Sequence, residues 1–255
     1  MPGNAITLIR HATLVVEIGG ESILVDPMLD PAGARGPIEN SPEPRDNPLV
    51  DLPGDVEALL GGLTAAVITH LHADHLDEAG AAFVSRAGLT TFGQAPDLDS
   101  LEDRGLPAAA EIGSRPLGEV QIHRTDGEHG VGRMAELLGP VSGVVLEHGG
   151  ERIYVAGDTV LCPPVDEAIA RHQPTTVVLN AGGARFVEGD PITMTAANVV
   201  EFAASHPATT VIAVHMDAIN HCLDTRAVLR QAISRAGPDN VLVPEDGARV
   251  DLPRR

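Results

Sequence analysis

Apolar residues recur along the chain in short uninterrupted runs, and two of these runs form a repeat. Residues 14–25 read Leu-Val-Val-Glu-Ile-Gly-Gly-Glu-Ser-Ile-Leu-Val, and residues 144–155 read Val-Val-Leu-Glu-His-Gly-Gly-Glu-Arg-Ile-Tyr-Val. In both copies Gly-Gly separates two β-rich segments, which predicts a β-hairpin because both turn positions can take a positive φ. The repeat indicates that the chain contains two similar halves.

Helical spacing and buried strand patterns alternate after each hairpin. This alternation predicts an α/β fold, and two ββαβ halves predict two sheets packed face to face with helices outside. We therefore expect one domain over residues 1–255, with halves at about 1–117 and 118–255. The predicted pairs of helix and strand are 56–60 with 65–69, 165–171 with 175–179, 195–205 with 210–214, and 225–236 with 241–243.

Residues 27–55 do not fit this alternation. They contain seven prolines and show no hydrophobic period. A loop of this length is either a functional lid over a site or a disordered surface excursion. Both interpretations stay open from the sequence.

The net charge of the chain argues against some classes of binding partner. It has 17 arginines, no lysine, and 36 aspartates and glutamates, which give a net charge of −19. Such a surface repels nucleic acid and anionic membranes, so we expect a small-molecule substrate. The absence of lysine also excludes Schiff-base and P-loop chemistry. Oligomers are compatible with the sequence, which does not determine the oligomeric state.

Several features are typical of a cytoplasmic protein. No window of 18 consecutive apolar residues occurs, so we expect no membrane insertion. The first 20 residues lack the uninterrupted apolar core of a signal peptide. Cys162 and Cys222 cannot form a disulfide framework, and we expect both to be buried, inert thiols.

The strongest chemical pattern follows the predicted strand that ends at Thr69. Here the chain reads His70-Leu-His72-Ala-Asp74-His75. Residues two apart in an extended segment point the same way, so His70 and His72 can share one ion. Asp74 and His75 are adjacent where the chain turns into a helix at Leu76, and they can reach a second point. Imidazole with a carboxylate suits zinc, iron or manganese better than calcium or magnesium.

Three further candidates lie at or near the ends of other predicted strands. Asp158 and His215 each follow a buried strand, and His129 lies in Asp-Gly-Glu-His-Gly. Polar groups at the ends of such strands converge on one edge of a sheet in α/β folds. Each one alone could instead be a hydrogen-bonded histidine or a turn aspartate. His123, six residues before His129, competes with it as a ligand.

Together these motifs resemble those of the metallo-β-lactamase superfamily in order and spacing, over nearly the whole chain. The resemblance implies a four-layer αββα sandwich and a centre of two metal ions. It places His70, His72 and His129 on one ion, Asp74, His75 and His215 on the other, and Asp158 between them.

A finer resemblance lies near the N-terminus. Arg10-His-Ala-Thr13, before a hairpin that ends in Asp26-Pro27, is similar to the ascorbate-6-phosphate lactonase and N-acyl-phosphatidylethanolamine phosphodiesterase branches. This finer resemblance rests on short motifs.

Three other polar residues are candidates for supporting roles. His221 could orient substrate or shuttle a proton, or it could lie at the surface. Asn180 follows a buried strand and could hydrogen-bond a ligand carboxylate. His11 could orient a ligand or be structural.

The resemblance and the ligand types predict a metal-dependent hydrolase. Two ions roughly 3.5–4 Å apart share a water whose pKa falls to about 7, so a bridging hydroxide can attack an ester, lactone, thioester or phosphodiester. Asp74 and Asp158 are the candidate catalytic carboxylates, which would hold the water and reprotonate the leaving group. We expect two divalent ions, with zinc favoured over manganese or iron. The alternatives are a mononuclear iron enzyme that oxidises persulfides and a non-catalytic, metal-stabilised binding module.

Overall fold

A computed structural model describes residues 3–106 and 109–253 of the chain. Within these residues, thirteen strands form two sheets and seven α-helices accompany them. The sheets pack face to face and helices cover their outer faces. The predicted four-layer αββα architecture is therefore confirmed.

The first sheet comes mainly from the first half of the chain. Its strands are β1 (Ala5–Arg10), β2 (Thr13–Ile18), β3 (Glu21–Val25), β4 (Ala65–Ile68), β5 (Thr90–Gly93), β6 (Ala110–Glu111) and β13 (Arg249–Asp251). Their order across the sheet is β13-β1-β2-β3-β4-β5-β6. The accompanying helices are α1 (Val56–Leu59), α2 (Glu78–Ala87) and α3 (Leu98–Asp103).

The second sheet comes from the second half. Its strands are β7 (Gln121–Asp126), β8 (Ser142–His148), β9 (Glu151–Val155), β10 (Thr176–Asn180), β11 (Thr210–Val214) and β12 (Val241–Leu242). Their order is β12-β11-β10-β9-β8-β7. The helices of this half are α4 (Arg133–Leu138), α5 (Pro163–His172), α6 (Ala196–Ser205) and α7 (Arg226–Ala236).

Alternating side chains in the strands explain the four layers. In β3, Ile23 and Val25 enter the core between the sheets, whereas Leu24 packs on the helices outside. In β9, Ile153 enters the same central core and Tyr154 packs on the outer helices. Strands buried on both faces must be apolar at every position, which is why these runs lack a polar alternation.

Some boundaries differ from the sequence expectation for local physical reasons. The helix expected from Leu76 begins at Glu78, because the Asp77 side chain caps it by accepting a 2.7 Å hydrogen bond from the Gly80 N–H. Helix α5 begins at Pro163, a residue suited to the first turn of a helix. Strand β13 pairs with β1, so the end of the chain returns to the first sheet.

The proline-rich loop 27–55 is anchored to β1 by a buried arginine. The Arg10 guanidinium donates from Nη2 to the carbonyl oxygens of Met28 and Asp30, both at 2.9 Å. Its Nη1 donates to the Val50 carbonyl oxygen at 3.0 Å. One side chain therefore holds both ends of the loop.

A buried asparagine holds the middle of the same loop. The Asn220 Oδ1 accepts from the Ile38 N–H at 3.0 Å and from Asn47 Nδ2 at 2.7 Å, and its Nδ2 donates to Ser41 Oγ and to the Glu43 carbonyl. The Asn47 Oδ1 accepts in return from the Asn220 N–H at 2.9 Å. Loop 27–55 is thus fastened to the segment that follows β11.

Replacing Asn220 with aspartate should release this loop. A carboxylate cannot donate to the two oxygens that Nδ2 contacts, so we expect the free energy of unfolding to fall by about 2–4 kcal/mol. Trypsin should then cleave the folded protein faster at Arg35 and Arg45. The control is Asn240→Asp, because Asn240 Nδ2 also donates to main-chain carbonyls, those of Ala203, His206 and Thr209, outside this loop. Equal cleavage of both variants at these sites would contradict the assignment.

Candidate metal centre

The carboxyl ends of six strands meet at one edge of the two sheets. Strands β1 and β3 run parallel because both are antiparallel to β2, and β3 is parallel to β4. In the second sheet β9, β10 and β11 are also parallel. The polar residues at these ends are His11 after β1, Asp26 after β3, Thr69 and His70 after β4, Asp158 after β9, Asn180 at the end of β10, and His215 after β11.

The segment after β4 turns back on itself to bring its ligands together. The N–H groups of His75 and Leu76 donate to the His72 carbonyl at 2.9 and 3.0 Å. This turn places Asp74 and His75 on the same side as His70. The Nε2 of His70 lies 3.0 Å from the Nδ1 of His72.

The structure brings all seven sequence-predicted ligand residues together. They form overlapping groups whose ligand atoms lie within 4.8 Å of one another in each group. The groups are His70, His72 and His129; His11, Asp74, His75 and His215; and His70, His75 and Asp158. This division follows the one that the resemblance implies, with His11 added to the second group.

Asp158 occupies the middle of the cluster. Its Oδ2 lies 3.3 Å from the Nε2 of His75 and 3.5 Å from the Nε2 of His129. Its Oδ1 lies 3.1 Å from the Nε2 of His215. One carboxylate therefore contacts histidines from both groups.

Electrostatics favour charged carboxylates in this buried cluster. Burial alone would raise the pKa of Asp158, but His215 and His75 hold that pKa well below its ordinary value. Burial opposes a charge on His75 as well, yet the carboxylates of Asp158 and Asp26 raise its pKa well above the usual range. Burial lowers the pKa of His11 to about 3, so its ring is neutral at neutral pH.

Asp26 orients two residues of the motif after β4. Its Oδ2 accepts from His75 Nδ1 and from the Thr69 hydroxyl, both at 2.7 Å, and its Oδ1 accepts from the Thr69 N–H at 2.8 Å. The Thr69 oxygen lies 3.1 Å from His70 Nδ1. These contacts direct the Nε2 atoms of both histidines into the cluster, as partners of metal ligands commonly do.

Other candidate ligands also have hydrogen-bonding partners. Asn180 Nδ2 donates to the Oδ1 of Asp158 at 2.6 Å. His129 Nδ1 donates to the Ile192 carbonyl at 2.9 Å. The sulfur of Cys222 lies 3.5 Å from the Nδ1 of His215.

His11 lies directly against the second group. Its Nε2 is 3.2 Å from the Oδ2 of Asp74, and its ring centroid is 3.6 Å from that of His215. The His215 N–H also donates to the His11 carbonyl at 2.9 Å, which joins the two sheets. Both histidines have a positive φ, 61° and 68°, a conformation that costs free energy for non-glycine residues and is concentrated at functional sites.

His123 and His221, the two remaining candidates, lie in different surroundings. His123 lies on β7, where its Nε2 is 3.5 Å from Glu147 and its ring is near His172, so it is outside the cluster that contains His129. His221 is only 5% exposed. Burial is the main cause of its lowered pKa; the Asp74 carboxylate acts in the opposite direction, and His215 lowers the pKa further.

The sequence interpretation missed Asp26, Thr69, the Ile192 carbonyl and the contact of Cys222. Asp26 follows β3 just as Asp158 follows β9, so the rule that selected Asp158 would also have selected Asp26. Cys222 is buried, as expected, but it contacts a ligand residue. Nothing in the sequence pattern could indicate the Ile192 carbonyl.

The donor set fits metal ions. Among the described residues, the Nε2 atoms of His75 and His215 are buried without a hydrogen-bond partner, although Asp158 oxygens lie within 3.3 Å. Orphaned imidazole nitrogens around a shared carboxylate are the arrangement that a divalent ion would satisfy.

Comparison with known proteins agrees with this geometry. A model of the family described as Beta-lactamase superfamily domain matches residues 21–216. The chain belongs to the β-lactamase superfamily. The UPF0173 protein YddR of Bacillus subtilis is 33% identical over 247 residues, which cover 95% of this chain and 97% of that protein.

Two solved structures are similar over almost their whole length. A possible metal-dependent hydrolase from Veillonella parvula has a TM-score of 0.92 and 30% identity, covering 98% of this chain and 100% of that one. An isothiocyanate hydrolase from Delia radicum gut bacteria has a TM-score of 0.88 and 34% identity, covering 97% and 99%. The chain is a metal-dependent hydrolase of this superfamily.

The similarity of Arg10–Thr13 to the lactonase and phosphodiesterase branches stays a prediction. No helix in the described part of the chain is both long enough and apolar enough to cross a membrane.

Proposed function

We propose that the centre binds two divalent ions and that the chain hydrolyses a small molecule there. The position of Asp158 carries this proposal, because its carboxylate contacts histidines of both ligand groups at 3.1–3.5 Å. His70, His72 and His129 would hold one ion, and Asp74, His75 and His215 the other. Zinc suits this set best, and manganese or iron also fit it.

The chain's own residues then have distinct roles. When bound, a pair of divalent ions lowers the pKa of water to about 7 and polarises the substrate. Asp158 sets the separation of the two ligand groups. Asp74, held by His11 at 3.2 Å, is the carboxylate that receives the proton of the attacking water and returns it to the leaving atom. His72 is half-buried, so the substrate approaches from its side.

Esters, lactones, thioesters and phosphodiesters are the substrate classes that this chemistry serves. The net charge of −19 supports a small molecule in preference to a nucleic acid. Water adds to the electrophilic carbon or phosphorus, and the bond to the leaving oxygen or sulfur breaks.

Isothiocyanates are a second candidate class, supported by the 34% identical relative that is named an isothiocyanate hydrolase. Water would add to the central carbon, and cleavage of the carbon–nitrogen bond would release an amine and carbonyl sulfide. The chain has no lysine and both cysteines are buried, so the amines and thiols that isothiocyanates modify are scarce on its surface.

Metal analysis and chelation test this proposal together. We expect protein purified without added metal to hold two equivalents of zinc or manganese and to hydrolyse members of an ester, lactone, thioester, phosphodiester and isothiocyanate panel. Removing the metal with a chelator should reduce hydrolysis to the background rate, and zinc should restore it. One equivalent of iron with oxygen uptake on a persulfide would contradict hydrolysis. Bound metal with no turnover of any kind would indicate a binding module.

A further inference from the structure

An apolar wall flanks the metal centre. Side chains from four separate segments form it: Ile38 from loop 27–55, Met134 and Leu138 from α4, Phe186 and Ile192 from the segment after β10, and Ile219 from the segment after β11. Ile192 and Ile219 are buried, and the other four are half-buried. Part of the surface of the wall is therefore accessible to solvent and to a ligand.

The wall is in contact with both ligand groups. The Ile192 carbonyl accepts from His129 Nδ1, and a Cβ added to Gly130 would lie 3.1 Å from Ile192 and from Met134. On the other side, Cys222 belongs to the same apolar cluster and contacts His215. The wall therefore lies next to one histidine of each ligand group, within reach of a molecule bound at the centre.

Exposed apolar side chains also occur on the chain segments that form the wall. Val131, Leu137 and Val187 are 59%, 67% and 67% exposed and lie on the segments that form it. They are three of five large apolar side chains exposed in the described part of the chain. Exposed apolar groups that cluster beside a polar centre mark a binding surface.

The charged residues on these segments are mostly acidic. Glu128, Glu136, Glu188 and Asp190 lie on them, against Arg133 and Arg185. The Arg185 guanidinium is directed at the backbone of Gly183 and at Asp224, 3.1 and 3.8 Å away. This excess of negative charge disfavours the binding of an anionic substituent and does not disfavour an uncharged one.

His221 supplies a hydrogen-bonding group beside the wall. Its ring lies 6.4 Å from that of Phe186, and its Nδ1 is buried with no partner among the residues that the structure describes. The main chain around it is fixed, because the His221 carbonyl accepts from the Arg185 N–H and the preceding Asn220 is fully hydrogen-bonded. A rigidly held but unpartnered polar group is what a substrate contact requires.

We propose that the site takes an uncharged substrate whose apolar substituent packs on the wall and whose heteroatom is hydrogen-bonded by His221. This inference rests on the hydrolase function proposed above. It adds the chemical class of the substrate and a residue that contacts it.

Matched substrates test the class. The zinc-loaded protein should hydrolyse 4-nitrophenyl butyrate with a kcat/KM at least about tenfold above that for 4-nitrophenyl hemisuccinate, and phenyl isothiocyanate above its 4-carboxy derivative. Phe186→Ser should raise KM for the uncharged compounds about tenfold, as expected for a damaged apolar pocket, with the metal content unchanged. Leu242→Ser, an exposed apolar residue on β12, is the control.

A second set of variants tests His221. In the His221→Leu variant kcat/KM should fall by about 100-fold, and His221→Gln should recover part of this loss because an amide still forms hydrogen bonds. Metal content and thermal stability should stay those of the parent protein. His172→Gln, which changes a histidine away from the centre, should have no effect.

Binding of an unreactive ketone separates this inference from the hydrolase proposal. Saturation-transfer NMR should show that 4-phenyl-2-butanone binds the parent protein and binds the Phe186→Ser and His221→Leu variants more weakly. If the ketone binds in this way but no substrate is hydrolysed, the proposed hydrolase function is wrong and the proposed binding surface is confirmed. The inference is overturned if the parent protein does not bind the ketone, if the variants bind it equally well, or if the anionic substrates are preferred.

Discussion

The Asp158→Asn variant should lose at least one of the two metal ions proposed for this centre and all measurable hydrolysis. Its carboxylate is the group shared by His75, His129 and His215, so the substitution removes the charge that compensates both ions. Because loss of a mere orienting partner costs 10–100-fold in metal affinity, loss of this ligand should cost more than about 100-fold. Elemental analysis after desalting measures the metal content, and circular dichroism checks the fold.

Asp166→Asn is a suitable control for this variant. Asp166 is an exposed aspartate in α5, and its substitution makes the same change of charge away from the cluster. It should keep two equivalents of metal and the parent activity. An Asp158→Asn protein that also retained both ions would show that Asp158 does not join the two ligand groups.

Substitution of Asp26 by asparagine should affect both stability and metal binding. The carboxylate is buried and accepts from His75 and from two groups of Thr69, so an amide in its place turns one acceptor into a donor that faces these donors. Removing one partner of a buried, charged hydrogen-bonded pair costs about 3–5 kcal/mol. Metal affinity should fall 10–100-fold, because His75 and His70 lose their orientation.

Denaturant unfolding and zinc titration measure these two effects separately. Asp51→Asn serves as the control, since exposed Asp51 accepts from the Ala32 N–H and lies outside the cluster. An Asp26→Asn protein with unchanged zinc affinity would show that His75 does not need this carboxylate to reach the metal. Unchanged unfolding would show that the buried contacts of Asp26 are dispensable.

Local patterns in the sequence were sufficient for the architecture. The two Gly-Gly hairpins and the alternation of strands with helices predict both sheets and the helices on their outer faces. They do not predict α3 and α4, which have six residues each, because fewer than two helical turns show little periodicity. Helix α1 is shorter still, and it is predicted from its place before a strand in the repeated ββαβ pattern. Strand β13 pairs with β1 from the far end of the chain, and no local pattern carries such a contact.

The site could be predicted to the extent that its residues follow strands. The spacing from His70 to His75 and the strand ends at Asp158 and His215 identify the cluster, because strand ends converge at one edge. The Ile192 carbonyl lies outside any such rule, since every residue has a carbonyl and only the folded chain selects this one. The roles of His11 and His221 were open from the sequence, and each depends on contacts with distant segments.

The main-chain contact between His215 and His11 has a consequence for the molecule as a whole. The candidate ligands come from both sheets, so the ions proposed here would link one half of the chain to the other. Ligands that bind only the folded state stabilise it by mass action, by about 4 kcal/mol at a thousandfold excess over the dissociation constant. The free energy of unfolding and the catalytic activity would then both depend on the concentration of available metal.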